Sequence, residues 1–343
     1  MNILVTGAQG FIGRYLVARL LQNPEVESIV GVGRSTEDSE TFSQSLSWCG
    51  ESVKAPIPGS LRSQLDDQRF RYQPLDLTDT DSVKVLFKKA GIQSVVHLAG
   101  ALRDSVFNDL MVNNIGATQS LLTVIEKVNP KGRLILGSSG SVYGKSASIP
   151  AKETDRCEPL DQYAVSKLAS ENFARVSSCR SGFTLAVARI FNVVGPGLDE
   201  RHLASHLARQ FAEQRLSAHP TRISVGPLTS SRDYIDVRDV ANGLARLLFN
   251  FDTKGEGTFN LASGVELKTQ FIYDELSSLS SNSRSEVDRL AARQLDIDRA
   301  YADISRLRSL GFRCEYSLSD SLEALLNYYL VEVSAACKAL SPN

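Results

Sequence analysis

The chain predicts an α/β fold built on a doubly wound parallel sheet, and three observations carry that expectation. Its 343 residues, 42% of them hydrophobic and 22% charged, suffice for a large core. From residue 2 onward, short β-rich runs alternate with stretches whose apolar residues recur at helical spacing. Gly7, Gly10 and Gly13 stand where the first run passes into the first helix, the arrangement of a dinucleotide-binding fold.

In order, "NILVTG" (2–7) is a strand, "FIGRYLVARLLQ" (11–22) a helix and "SIVGVG" (28–33) a second strand. A helix "SVKVLFKKAG" (82–91), a strand "SVVHLAG" (94–100), a helix "NNIGATQSLLTVIEKV" (113–128) and a strand "GRLILGSS" (132–139) follow. Parallel neighbours need crossover connections, so this succession places helices on both faces of one sheet. Residues 35–70 break the rhythm: rich in Ser, Asp and Gln and containing "APIPGS", they read as a long, mobile or weakly structured insertion, with a lid or subunit contact as the alternative. After about residue 180, "FTLAVARIFNVVGPG" is a strand entering a turn, "HLASHLARQFAEQ" an amphipathic helix and "RDYIDVRDVANGLARLLFN" a strand-turn-helix unit. "LSDSLEALLNYYLVEVSAACKAL" is a terminal helix. The expected division is a Rossmann-type cofactor domain at 1–180, carrying the insertion, and a smaller, mainly substrate-binding lobe at 181–343 with segments returning to the first domain.

Charge and cysteines exclude other classes. A net charge of -1 without Lys/Arg runs gives no electrostatic case for nucleic acid or an anionic membrane. Five scattered cysteines without a C-x-x-C pair suggest reduced thiols, and neither a leader nor a span of roughly 18 apolar residues is present, so a cytoplasmic protein is expected.

In "TGAQGFIG" the glycines let the chain turn tightly, so that backbone N–H groups about Gly10, Phe11, Ile12 and Gly13 approach a pyrophosphate at the helix N-terminus; a plain strand-to-helix turn is the alternative. At the end of the second strand Gly33 stands where an acid would hold the 2′-hydroxyl of NAD, and Arg34 follows, which suits the 2′-phosphate of NADP. NADP(H) is therefore favoured over NAD(H), a solvated surface charge being the other role for Arg34. Asp76 and Leu77 are expected at an adenine ring, and Leu98, Ala99, Gly100 and Asn113 beside the cofactor, whereas His97 reads as a core histidine.

The chemistry is carried by "LILGSSGSVYG", which brings Ser138 and Ser139 to a strand end, and by "DQYAVSKLASENFARV", whose Tyr163 and Lys167 share one helical face. A phenol ionises near pH ~10, and a lysine cation or an oxidised nicotinamide nearby favours the phenolate. Such a tyrosine exchanges a proton with a carbinol or carbonyl oxygen while Ser139 holds that oxygen and hydride passes between cofactor and carbon.

"TGAQGFIG", "HLAG", "SSGSVYG", "YAVSK", "RIFNVVGPG" and "RDYIDVRDV" together resemble the extended short-chain dehydrogenase/reductase family, the NAD(P)-dependent sugar-nucleotide epimerases, dehydratases and reductases, from residue 2 to about 330. The resemblance implies Ser139, Tyr163 and Lys167 as the catalytic set, Ser139, Ser141 and Asn192 against the sugar, and Val194 near the nicotinamide amide. It also implies that Arg232 grips the nucleotide diphosphate and that Arg293 with Asp296 makes a second nucleotide contact, roles that suit the guanidinium fork.

Dehydratases of the family carry an Asp-Glu pair after the catalytic hydroxyl residue; Gly140 and Ser141 stand there instead. "RIFNVVGPG" and the segments after it most resemble the reductases of GDP-linked 4-keto-6-deoxy-mannose, which implies reduction of a C4 ketone by NADPH. An NAD-retaining 4-epimerase uses the same three residues and is the alternative, and a non-catalytic NADP-sensing regulator is the alternative of another class. "ALRDSVFNDL" departs from the family's usual substrate loop, leaving Arg103 either a substrate contact or a surface charge. His202 and His206 have i, i+4 spacing that can hold zinc, but a third ligand is not evident and an ordinary helix face is favoured, with no metal expected. The helices at 120–128 and 163–176 resemble those that pair across a two-fold axis, which implies a homodimer.

Overall fold

The computed structural model describes residues 1–36, 40–145, 148–217, 222–251, 256–280, 287–289 and 297–340. Seven parallel strands form the central sheet: β1 (Asn2–Thr6), β2 (Ser28–Gly33), β3 (Phe70–Pro74), β4 (Ser94–His97), β5 (Arg133–Ser139), β6 (Thr184–Ile190) and β7 (Glu256–Leu261). Their order is β7-β6-β5-β4-β1-β2-β3, so the chain winds outward twice from β1. The switch point lies between β1 and β4, where ligands bind in open α/β sheets.

Each strand feeds both faces by alternation. Ile3 and Val5 join one core and Leu4 the other. On the first face lie α1 (Phe11–Leu21) and α6 (Val237–Asn250), where Leu16, Leu20, Val240 and Leu244 are fully buried. On the second lie α2 (Thr80–Ala90), α3 (Ala117–Val128) and α4 (Gln162–Ser181), whose Val83, Leu121 and Ala174 meet Leu4, Val30 and Leu134. Local signals bound these helices. Asp79 accepts the Ser82 amide at the start of α2, Asp161 accepts that of Ala164 at the start of α4, and Gly91 and Gly182 take left-handed caps at their ends.

The insertion at 35–70 is folded, which corrects the mobile reading. Thr41–Trp48 and Glu51–Pro56 form an antiparallel hairpin, and Gly59–Leu65 a short helix. Phe42, Leu46 and Trp48 are buried on one face of the first strand while Ser43, Ser45 and Ser47 lie on the other. Cys49 and Gly50 turn the hairpin with φ of 49° and 87°, the pair of positive angles a two-residue turn needs. Trp48 stacks on Tyr329 at 6.1 Å between ring centroids, so the hairpin joins the core through the far end of the chain.

The remaining chain builds the smaller lobe around α5 (Leu203–Leu216), α7 (Thr269–Leu279) and α8 (Leu318–Tyr328), the last opened by a Ser317–Asp320 capping box. Short strands bind it together: Asn192–Val194 pairs with Tyr234–Asp236, and Ser231–Arg232 with Leu267–Lys268 and Arg299–Ala300. Buried Asp233 clamps these pieces, accepting the amides of Ser263 (2.8 Å), Gly264 (2.9 Å) and Ala302 (3.3 Å). Among the described residues no helix is long and apolar enough to cross a membrane.

Candidate active site

A cleft of about 1380 Å³ runs along the carboxyl ends of the strands, from the glycine turn to the smaller lobe. Its floor is fixed by backbone proximity. Gly7 has φ of 70°, and a Cβ there would stand 2.9 Å from the Ala99 nitrogen; one at Gly13 would stand 2.1 Å from the Gly7 carbonyl. Both positions therefore require glycine, and the turn closes with Gly10 N–H donating to Gly7 O at 2.9 Å. The N-terminal turn of α1 opens into the cleft with Gly10, Phe11 and Ile12 on its wall. This cradle of close glycines beneath free helical N–H groups fits a dinucleotide pyrophosphate.

Arg34 is exposed at the end of β2 and lines the cleft with Gly33, Asp76 and Leu77. Asp76 accepts from the Thr78 amide at 2.9 Å and hydroxyl at 2.8 Å, bonds that hold its carboxyl below the usual range, with the charge of Arg34 adding to them. Leu98, Ala99, Gly100 and Asn113 line the same wall. His97 does not reach it. Its ring is buried, with Nδ1 2.7 Å from Thr6 Oγ1 and Nε2 3.0 Å from Thr118 Oγ1, and burial followed by the charge of Lys167 lowers it to about 3.

Beyond the glycine turn, β5 ends at Ser139 and α4 presents Tyr163 and Lys167 from successive turns, all three on the cleft wall. Ser139 hydrogen-bonds the Tyr163 phenol and accepts from Ser141 Oγ at 2.9 Å. Lys167 Nζ lies 5.9 Å from the Tyr163 ring centroid and donates to Gly137 O at 3.1 Å. Burial lowers this ammonium to about 8, while Glu171, one turn further along, works to raise it.

The expectation of a depressed Tyr163 needs correction. Burial raises the phenol above its ordinary value, and the cation that most opposes this is Arg103, whose guanidinium carbon stands 5.8 Å from the ring centroid. Arg103 is exposed, lines the cleft and pairs with Asp161 at 3.2 Å.

Ser141, Asn192 and Arg232 line the cleft; Asn192 donates to Asp233 O at 2.8 Å and Arg232 to Ser231 O at 2.9 Å. Val194 does not. It is buried in the main core, because the chain turns at Gly195 hard against Val237. Arg293 and Asp296 lie outside the described residues. His202 lines the cleft with its pKa lowered chiefly by burial, whereas His206 Nε2 lies 3.2 Å from Ser224 O. Among the described residues there is no group of three or more His, Cys, Asp or Glu side chains placed to hold a metal.

Three features went unread in the sequence. Glu171 is fully buried behind the site, taking Ser138 Oγ at 2.5 Å, Arg189 Nη2 at 2.8 Å and Arg175 Nη2 at 3.0 Å. Although burial alone would raise its carboxyl, the bonds and charge of Arg189 hold it below its ordinary range. Its place four residues after Lys167 was a readable sign. Asn114, in a π-helical turn at Met111–Gly116, bridges the Ala101 amide (2.7 Å) and Ser166 Oγ (2.8 Å), joining the loop of Arg103 to α4. The hairpin contributes Ser43, Gln44, Ser45 and Ser47 to the wall, and the alternation of serine with Phe42, Leu46 and Trp48 was its signal.

Residues 3–262 match the model of the NAD dependent epimerase/dehydratase family. The chain belongs to that family. It is an NAD(P)-dependent enzyme of the nucleotide-sugar epimerase and reductase group. It is 31% identical over 262 residues to GDP-6-deoxy-D-mannose reductase of Pseudomonas aeruginosa, covering 74% of this chain and 84% of that one. It is 28% identical to UDP-glucose 4-epimerase of Pisum sativum, with 93% of each chain covered. Among solved structures, RMD from Pseudomonas aeruginosa complexed with NADPH superposes with a TM-score of 0.76 at 26% identity, over 96% of this chain and 99% of that one. UDP-glucuronic acid 4-epimerase from Bacillus cereus, in complex with UDP-glucuronic acid and NAD, gives the same TM-score, identity and coverage.

Proposed function

We propose that the protein reduces the C4 ketone of a nucleotide-linked 4-keto-6-deoxy-hexose, a GDP-sugar, with NADPH. The observation that carries this reading is the cleft itself, where Ser139, Tyr163 and Lys167 face one another while the positions after Ser139 are Gly140 and Ser141. That set serves proton exchange at one oxygen and supplies no acid pair for elimination. Arg34 beside Gly33 supports the phosphorylated cofactor, as does the NADPH complex of the Pseudomonas aeruginosa relative.

When bound, the nicotinamide supplies hydride. The chain does the rest. Ser139 donates a hydrogen bond to the ketone oxygen and fixes its distance from Tyr163, whose phenol delivers the proton as negative charge grows on that oxygen. Lys167 and Arg103 place positive charge within about 6 Å of the Tyr163 ring and stabilise the phenolate once the proton has left. Arg232 lies at the lobe end of the cleft, where it meets the diphosphate of the sugar nucleotide.

A second reading is an epimerase that oxidises and re-reduces C4 with a retained cofactor, favoured by the 93% mutual coverage with UDP-glucose 4-epimerase. One assay separates them. Loss of NADPH absorbance in stoichiometry with a GDP-linked 4-keto-6-deoxy sugar supports the reductase, and turnover of UDP-glucose without added cofactor replaces it with the epimerase.

We further infer a homodimer formed through α3 and α4. Val165, Phe173 and Val176 are 48%, 45% and 58% exposed on α4, an apolar stripe that a second copy would cover.

A further inference from the structure

Strand 41–48 of the hairpin lies along the wall of the cleft. At one end the Ser43 amide donates to Gln9 O at 3.0 Å, and Phe42 packs on Phe11 with ring centroids 6.3 Å apart. Gln44 Nε2 donates to the carbonyl of Gly197, whose backbone packs against Phe42, and further along the strand the Ser47 amide donates to Glu200 Oε1 at 2.6 Å. The hairpin thus bridges the glycine turn and the loop at 197–202. It is firmly seated: Phe42, Leu46 and Trp48 are buried, and the Cys49 amide donates to Glu213 Oε1 at 2.7 Å.

Between the two anchorages, the outer edge of strand 41–48 faces the cleft. Ser45 and Ser47 stand opposite Lys54 and Ser52, so they share one phase of the ladder. The Ser47 amide turns outward to Glu200, and the Ser45 amide therefore turns outward too. Ser43 and Ser45 line the same cleft as Gly10, Phe11 and Ile12. The acidic residue of the hairpin on that wall, Glu51, is at the tip, away from Ser43.

We propose that this hairpin is a strap over the bound dinucleotide, with the Ser45 amide and the Ser43 and Ser45 hydroxyls donating to oxygens of its diphosphate and adjoining ribose. The strap slows release of the cofactor. The inference rests on the dinucleotide assignment of the glycine turn and is independent of the choice between reductase and epimerase.

Hydrogen exchange of the full chain, with and without NADPH and then NADH, tests it. Protection of 41–48 together with 7–13 is expected. Protection of 7–13 with 41–48 unchanged overturns the strap and leaves the cofactor assignment standing; protection of neither with either dinucleotide removes both. In the Ser43→Ala/Ser45→Ala double variant, the NADPH dissociation rate read by stopped-flow fluorescence should rise about tenfold, the worth of two lost hydrogen bonds. An unchanged rate in a variant of unchanged melting temperature overturns the proposal.

Discussion

In the proposed reaction Tyr163 is the proton donor, and its surroundings show how opposed effects are resolved. Burial makes the phenol a weaker acid, and the charge of Arg103 and the Ser139 hydrogen bond counter that. Tyr163→Phe removes the proton donor and leaves the packing in place, so kcat should fall about 10²- to 10⁴-fold with an unchanged melting curve. Lys167 is charged below about pH 8 and neutral above it. Because the cation supports the phenolate, kcat/KM should decline as pH rises through about 8, and Lys167→Met should lose both that limb and most of the rate. Arg34→Ala should weaken NADPH binding about tenfold or more in a titration and leave NADH binding nearly unchanged, since only the former has the 2′-phosphate.

At the scale of elements, the hairpin ties the glycine turn to the smaller lobe, and Asp233 clamps the pieces of that lobe to one another. Trp48 is nearly fully buried against Tyr329, so Trp48→Ala should cost about 3–5 kcal/mol in urea denaturation and loosen the wall that the hairpin forms. Asp233 carries a different signature. Burial, opposed by its hydrogen bonds to Ser263, Ala302 and Gly264, pushes its carboxyl from near 3.8 up to about 6. Between those values the folded chain binds more protons than the unfolded one, so this group's contribution to stability decreases as pH rises through that window. Asp233→Asn should remove that part of the slope in melts recorded across the window. It should also lower stability throughout, because an amide replaces one acceptor oxygen by a donor facing other donors.

For the whole molecule, the proposed dimer places the exposed stripe on α4 at its interface. If two copies meet there, Phe173→Arg/Val176→Asp should convert a dimer into a folded monomer, measured as mass by light scattering after gel filtration. A wild-type chain that runs as a monomer would falsify the dimer. The core itself is continuous across the division at residue 180. β6 and β7 come from the second half of the chain yet pair with β5 and with each other, and α6 packs beside α1 under β1.

By itself the sequence determined the periodic and the local: the alternating strands and helices, the glycine turn, and the spacing of Tyr163 and Lys167 on one helical face. Those are legible because helix period, strand period and the missing Cβ of glycine act over a few residues. Only the tertiary structure decided that the insertion is a folded wall of the cleft, that Arg103 stands over Tyr163, that Val194 turns into the core and that Glu171 is buried behind the wall carrying Ser139 and Lys167. Each depends on partners tens to hundreds of residues distant, Trp48 on Tyr329 and Ser47 on Glu200 among them, and no local period encodes which distant surface a side chain will meet.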